Sequence, residues 1–199
     1  LRWNYFSPNS RHFVNLYTSA QGIGRDSYYG TGKDPNAYGE TKDFTLVAGA
    51  QYSYVFEKCL FLPAQFTVGF EYSYNDLNDH SMGFSRTIEQ TVRTAGLYLQ
   101  NEWQSEKVNF VIGGRLDKHN MIKNPVFSPR ANIRYSPIES LGLRLSYSSG
   151  YRAPQAYNED LHIDALNHTV SLIQLSENLE PEKSHSMSAS VDYYHNFGK

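Results

Sequence analysis

The residues of this sequence that could do chemistry are acids, imidazoles, phenols and guanidiniums scattered through polar stretches. Asn158 to Asp164 (NEDLHID) brings Glu159, Asp160, His162 and Asp164 together, and carboxylate oxygens with an imidazole can hold a metal ion. The spacing fits neither an EF-hand nor a zinc pattern, so the stretch reads as a solvated acidic loop, with no metal or cofactor implied. His80, His119, His162 and His168 fall in candidate loops, where imidazoles could ligate a haem iron, yet no spacing singles one out. Tyr28, Tyr29 and Tyr38 could stack on a planar ligand, or belong to a band of interfacial aromatics. With Arg86, His119 and His162 they make up the candidates for ligand contact from loops. Gly22–Ile23–Gly24 lacks the strand–turn–helix context of a nucleotide site. No Ser/His/Asp or Cys/His arrangement stands out, so the sequence does not read as an enzyme.

The elements that would position these residues are strands. In Leu141 to Pro154 (LGLRLSYSSGYRAP), Leu141, Leu143, Leu145, Tyr147 and Tyr151 fall on one face of an extended chain. Gly142, Arg144, Ser146, Ser148 and Arg152 fall on the other. The question is which solvent the apolar face meets, a protein core or lipid. Aromatic residues are 15% of the chain, with 16 tyrosines, a composition suited to strands and to membrane–water interfaces. A charge of −2 gives no basic footprint for nucleic acid. The single Cys59 excludes an intramolecular disulfide framework. Mean hydropathy is −0.56 and no apolar run reaches transmembrane-helix length, which leaves a barrel open because alternating strands average out.

In chain order, Arg2 to Ala20 holds one poorly alternating strand (HFVNLYTSA), followed by a long irregular loop over 22–40. Clean alternation then predicts strands around Phe44–Phe56, Phe66–Tyr74, Ala95–Trp103, Val108–Leu116, Phe127–Tyr135, Leu141–Tyr151 and His185–Tyr193. The reading is all-β, an antiparallel up-and-down meander of about eight strands. Its connections alternate between long (22–40, 75–91, 119–126, 153–183) and short, so a meander sorts them to opposite ends. Short turns at one end and long loops at the other are the habit of outer-membrane barrels. Phe56, Phe66, Trp103 and Tyr135 then lie near the short-turn end, and Tyr72, Tyr74, Tyr147 and Tyr151 near the other, as two aromatic girdles. The alternative is a soluble β-sandwich binding module, in which such faces pack on each other. Five of the ten arginines, Arg115, Arg130, Arg134, Arg144 and Arg152, sit on polar faces, which a barrel would turn into its lumen. Glu102 and Asp117 look too few to match them, so another polar element would have to satisfy the rest.

Four stretches in order, GGRLDKHN (Gly113 to Asn120), FSPRANIRYSP (Phe127 to Pro137), LRLSYSSGYRAPQ (Leu143 to Gln155) and NLEPEKS (Asn178 to Ser184), resemble TonB-dependent outer-membrane receptors. The resemblance implies a 22-stranded barrel plugged by an N-terminal domain, in the outer membrane of a Gram-negative bacterium. Residues 1–199 would be part of that barrel, with the plug and the remaining strands absent. It implies import of a scarce nutrient by TonB-coupled active transport, most readily a ferric siderophore or other iron complex, with cobalamin, haem or a glycan as alternatives. The implied partners are TonB, reached through the plug, the plug itself, the cargo and outer-membrane lipid, but no nucleic acid. Pro129, Arg130, Tyr151, Arg152 and Pro154 are then architectural, and the five lumen arginines contact plug or lumen solvent.

Cut from a barrel, such a segment exposes two unpaired strand edges and an uncovered polar face. The isolated 199-residue segment is therefore expected to aggregate or re-pair its edges in detergent-free buffer. A monodisperse monomer with cooperative unfolding on size-exclusion chromatography would contradict this.

Overall fold

The computed structural model describes residues 1–28, 32, 34–156, 164–166, 169–171 and 179–195. Nine strands form one antiparallel sheet in strict chain order. They are β1 (Arg2–Phe6), β2 (His12–Tyr28), β3 (Tyr38–Cys59), β4 (Leu62–Ser81), β5 (Arg86–Gln104), β6 (Val108–His119), β7 (Val126–Ile138), β8 (Leu141–Arg152) and β11 (Glu182–Tyr193). A separate two-stranded hairpin, β9 (Asp164–Leu166) with β10 (Thr169–Ser171), lies in sequence between β8 and β11.

The meander agrees with the alternation, with two corrections. The first segment is a hairpin, β1 with β2, so the sheet has nine strands where the sequence suggested about eight. Its turn is built by polar side chains: Ser10 N–H donates to Ser7 O at 2.9 Å, and His12 N–H to Ser7 Oγ at 3.0 Å. Ser10 takes the left-handed conformation with φ 55°. The second correction concerns 22–40 and 75–91, expected as irregular loops. Residues 22–28 and 38–40 extend the β2–β3 ladder, and 75–81 and 86–91 extend β3–β4 and β4–β5. Only 29–37 and Met82–Ser85 are left as connections. Strand pairing satisfies backbone donors and acceptors whatever the side chains, so it continues after the apolar period ends.

Among the described residues no second layer packs on the sheet. The apolar face carries Leu97, Leu99, Ile112, Leu116, Phe127 and Leu145, each about half exposed. This overturns the β-sandwich alternative, which needs a facing sheet to cover those residues. At the short-turn end the aromatic residues cluster. The Phe61 ring stacks on Trp103 at 5.6 Å, Trp103 stacks on Phe110 at 5.4 Å, and Trp103 Nε1–H donates to Cys59 O at 2.9 Å. The apolar turn after Cys59 is thus part of the girdle. At the other end Arg93 lies over the Tyr74 ring, 5.8 Å from its centroid.

The inner face is built on rows in which large polar residues alternate with glycine. One row reads Tyr17, Gly49, Glu71, Gly96, Asp117 across β2 to β6. The next reads Gln51, Gly69, Tyr98, Arg115 across β3 to β6. Each tyrosine lies flat over its glycine: a Cβ on Gly49 would meet the Tyr17 ring at 2.3 Å, and one on Gly69 the Tyr98 ring at 2.2 Å. Gly69→Val in the full-length barrel should therefore unseat Tyr98 and lower stability by about 1–3 kcal/mol. Thermal unfolding in detergent should show a lower midpoint, with partial recovery when Tyr98→Ala is added. An unchanged midpoint for Gly69→Val would contradict the packing.

Candidate functional site

The glycine gaps let side chains reach across a whole strand, and this builds a charged cluster on the inner wall. Tyr17 Oη donates to Glu71 Oε2 at 2.5 Å, over Gly49. From the other side the Arg115 guanidinium donates to Glu71 Oε1 at 3.1 Å and to Asp117 Oδ1 at 2.7 Å, over Gly96. Tyr98 Oη donates to Gln51 Oε1 at 3.0 Å across Gly69. A recess of about 400 Å3 lies against Tyr17, Glu71, Tyr98, Arg115, Arg130 and Ser148. The cluster offers fixed charges and hydrogen-bonding groups, with no nucleophile and base arranged together.

The five arginines expected on the inner face divide by partner. Arg115 is matched inside the sheet by Glu71 and Asp117. Arg144 pairs with Asp192 of β11 at 3.1 Å. Arg130 and Arg134 make no ion pair among the described residues, and Arg134 lies directly opposite Arg144 across the β7–β8 ladder. Like charges face to face oppose the fold unless an anion comes between them. Arg152 ends β8, opposite Glu182. The acids that matter most, Glu71 and Asp192, escaped the sequence reading because their reach depends on register. The signal was present: a polar-face glycine directly opposite a polar-face tyrosine marks a side chain that crosses a strand.

The candidates at the long-loop end have different fates. Arg86 starts β5 and is 9% exposed, its guanidinium 2.7 Å from Asp79, which also accepts from Thr41 Oγ1 at 2.6 Å. Arg86 is thereby built into the wall of the extended ribbon. Tyr28 and Tyr38 meet as a cross-strand pair with ring centroids 4.8 Å apart. Tyr28 Oη accepts from Asp34 N–H at 3.1 Å, closing the turn. Tyr38 lies eight residues beyond Leu46, the partner of Tyr74, which is about 26 Å further along the strand than the upper girdle. Tyr29, Glu159, Asp160, His162 and His168 lie outside the described residues. Among the described residues no three His, Cys, Asp or Glu side chains form a metal-sized group.

His119 ends β6 and is 4% exposed. On the outer face its neighbour Lys118 turns its ammonium to the carbonyls of Ile122 and Lys123, so the apolar band has already ended here. His119 Nδ1 accepts from Met121 N–H at 3.1 Å, which leaves Nε2–H to donate to Gln155 Oε1 at 3.1 Å. Beside it, Gln90 holds the Ala156 backbone twice, Oε1 accepting from its N–H at 2.8 Å and Nε2 donating to its carbonyl at 3.1 Å. Gln90, His119 and Gln155 together fasten the chain leaving β8 onto β5 and β6. Burial holds the imidazole below its ordinary pKa, against the opposing pull of Gln155 and Asp117.

Residues 1–199 match the profile described as TonB dependent receptor-like, beta-barrel. No curated protein sequence matches the chain. Among solved structures, the siderophore receptor PirA from Pseudomonas aeruginosa is similar at 15% identity and a TM-score of 0.62, over 93% of this chain and 38% of that one. A mutant ferric enterobactin receptor PfeA from Pseudomonas aeruginosa is similar at 18% identity and 0.66, over 93% and 30%. The ferric citrate transporter FecA is similar at 15% identity and 0.66, over 96% and 31%. The chain thus spans about a third of the length of these structures, and the likeness is one of fold.

The His119 corner should respond to acid. Its folded pKa lies below the ordinary value near 6.5, so its stabilisation is complete above that pH and falls as pH drops through it toward the folded value. Protonation would also turn Nδ1 into a donor facing the Met121 amide. Protection of the Met121 and Ala156 amides in the intact protein, corrected for intrinsic exchange, should fall between about pH 7.5 and 5.5. The fall should vanish in His119→Gln. Protection that is flat with pH in the unsubstituted protein would contradict this.

Proposed function

The chain belongs to the TonB-dependent receptor β-barrel family, and on that premise we propose that it forms part of the wall of a plugged outer-membrane barrel that imports a scarce nutrient. The observation that carries the reading is the family match over all 199 residues, on a one-layer sheet whose apolar face the described residues leave uncovered. Lipid is the covering that such a face needs. The short turns mark the periplasmic end, and the extended ribbons of β2 to β5 stand in the extracellular space. The work is recognition and gated passage, without covalent chemistry.

The lumen face supports a plugged barrel. Arg130 and Arg134, without ion pairs among the described residues, and Arg134 set against Arg144 would be met by an anionic surface inside the barrel. A globular plug presenting carboxylates supplies that surface, and TonB acts on the plug from the periplasmic side. The cargo proposed is a ferric siderophore or another iron complex, supported by the family and by fold neighbours that are siderophore and ferric citrate receptors. Cobalamin is the second reading, with haem and glycans behind it.

The test is uptake in a strain lacking the full-length parent gene, with iron complexes and cobalamin supplied in parallel and TonB present or absent. Growth on one iron complex that needs both the gene and TonB is the expected result. Rescue by cobalamin would move the cargo. Loss of the gene without effect on any TonB-dependent uptake, glycans included, would remove the transport reading.

A further inference from the structure

The turn between β3 and β4 holds backbone strain beneath a side chain left in the open. The other short turns, at 7–10, 105–107 and 139–140, carry serine, asparagine, glutamate or lysine at their tips. Here the tip is Leu60 and Phe61, between the paired Cys59 and Leu62. Leu60 has φ 65°, and Phe61 N–H donates to Cys59 O at 2.9 Å around it. That is a three-residue turn of the strained hand, a backbone that glycine or asparagine adopts with less strain than leucine. Leu60 is 80% exposed, so packing among the described residues does not account for its side chain.

The surroundings lock this geometry. A bulge between Phe56 and Cys59 sets the turn out of register with the ladder above it. Cys59 O accepts a second hydrogen bond, from Trp103 Nε1–H at 2.9 Å, and the Phe61 ring stacks on Trp103, which stacks on Phe110. Strain persists where neighbours over-determine a conformation, and it marks places where a side chain is used. The tip also lies past the aromatic row. Two residues of strand, about 7 Å before tilt, separate Ala64, the partner of Trp103, from Leu62 at the base of the turn. The headgroup layer of one leaflet is about 5–7 Å thick.

The occupant follows from continuity and charge. Phe61 is 59% exposed and joins the apolar face through Trp103, so the tip continues the surface that the proposed bilayer covers. Lys58 beside it is exposed and makes no ion pair among the described residues, while Glu57 is held by Arg11, so the charge left at the tip is positive. An apolar knob with a cation at headgroup depth fits a phospholipid. Resting on the outer-membrane reading, we propose that Leu60 and Phe61 form a wedge set among the glycerophospholipids of the periplasmic leaflet, with Lys58 against their phosphates. The strained turn holds the wedge rigid and so fixes the depth at which this part of the wall sits.

The experiment uses the full-length parent receptor in cells, with Leu60 replaced by an aliphatic diazirine amino acid of similar size. Fractionation first establishes that the receptor reaches the outer membrane. The control carries the same label in place of Glu106, at the exposed polar tip of the β5–β6 turn. After illumination, mass spectrometry of the peptide carrying position 60 should show glycerophospholipid adducts at about fivefold or more the yield of that control. Lys58→Glu should shift the adducts from phosphatidylglycerol toward phosphatidylethanolamine about fivefold. Equal yields at the two positions, or adducts with a protein in place of lipid, overturn the wedge while leaving the barrel standing. An unchanged headgroup ratio overturns the role of Lys58. A receptor absent from the outer membrane removes the membrane reading and the wedge with it.

Discussion

A wall one strand thick has no interior, and that constraint shapes everything else in this chain. A globular protein hides its apolar side chains behind a second layer, but here the apolar face stays open and the backbone ladder carries continuity from β1 to β11. Side-chain stabilisation must then run along the sheet. The rows Tyr17–Gly49–Glu71–Gly96–Asp117 and Gln51–Gly69–Tyr98–Arg115 do this by leaving gaps in alternate strands. A glycine in a strand interior weakens it locally, and here the weakness is offset by the aromatic ring or ion pair laid across it. The result is a lattice of hydrogen bonds in the plane of the wall, spanning five strands.

Beyond the end of the apolar period the same ribbon changes its terms. Around Thr41, Asp79 and Arg86 the wall buries a charged pair, and the chain after β8 is held by amide and imidazole contacts from Gln90 and His119. Here alternation between apolar and polar lapses, and small polar enclosures replace the aromatic rows. The 3-10 turn at Pro35–Ala37 packs beside Gly83, where a Cβ would meet Asn36 O at 2.2 Å, so the tips of neighbouring hairpins support one another. These ribbons are built parts of the wall, braced by one another at their tips.

The fold was largely legible because a sheet with one apolar and one polar face imposes a strict period of two on its strands. Where that period holds, as in Phe66–Tyr74 or Leu141–Tyr151, alternation placed the strands and set the arginines on the face opposite the apolar side chains. It failed at Arg2–Phe6, where Trp3 and Tyr5 alternate with Arg2 and Asn4 over too short a run to stand out, and at 22–40 and 75–91, where pairing runs on without the period. The site was harder to read because its geometry depends on register between strands. Arg115 could be faced inward from its own strand, but its acid Glu71 is two strands away across Gly96. Likewise, only the return of the hairpin brings Asp79 to Arg86 and Gln155 to His119, turning two candidate loop ligands into buried struts.

The charge left over is the most informative part of the wall. Within the sheet, acids are placed where arginines can reach them: Glu71 and Asp117 for Arg115, and Asp192 for Arg144. If β7 had to stand in an empty aqueous lumen, nothing would be gained by setting Arg134 directly against Arg144. On the proposed reading of a plugged barrel, an acidic surface in the lumen would complete this pair, beyond the Asp192 that Arg144 already has. On the outer face of the same strand the β7–β8 ladder stops at Arg130 while β6–β7 pairing runs on past Pro129, so a recess opens in the wall. On the polar face, β7 is left with guanidiniums, Arg130 and Arg134, that make no ion pair among the described residues.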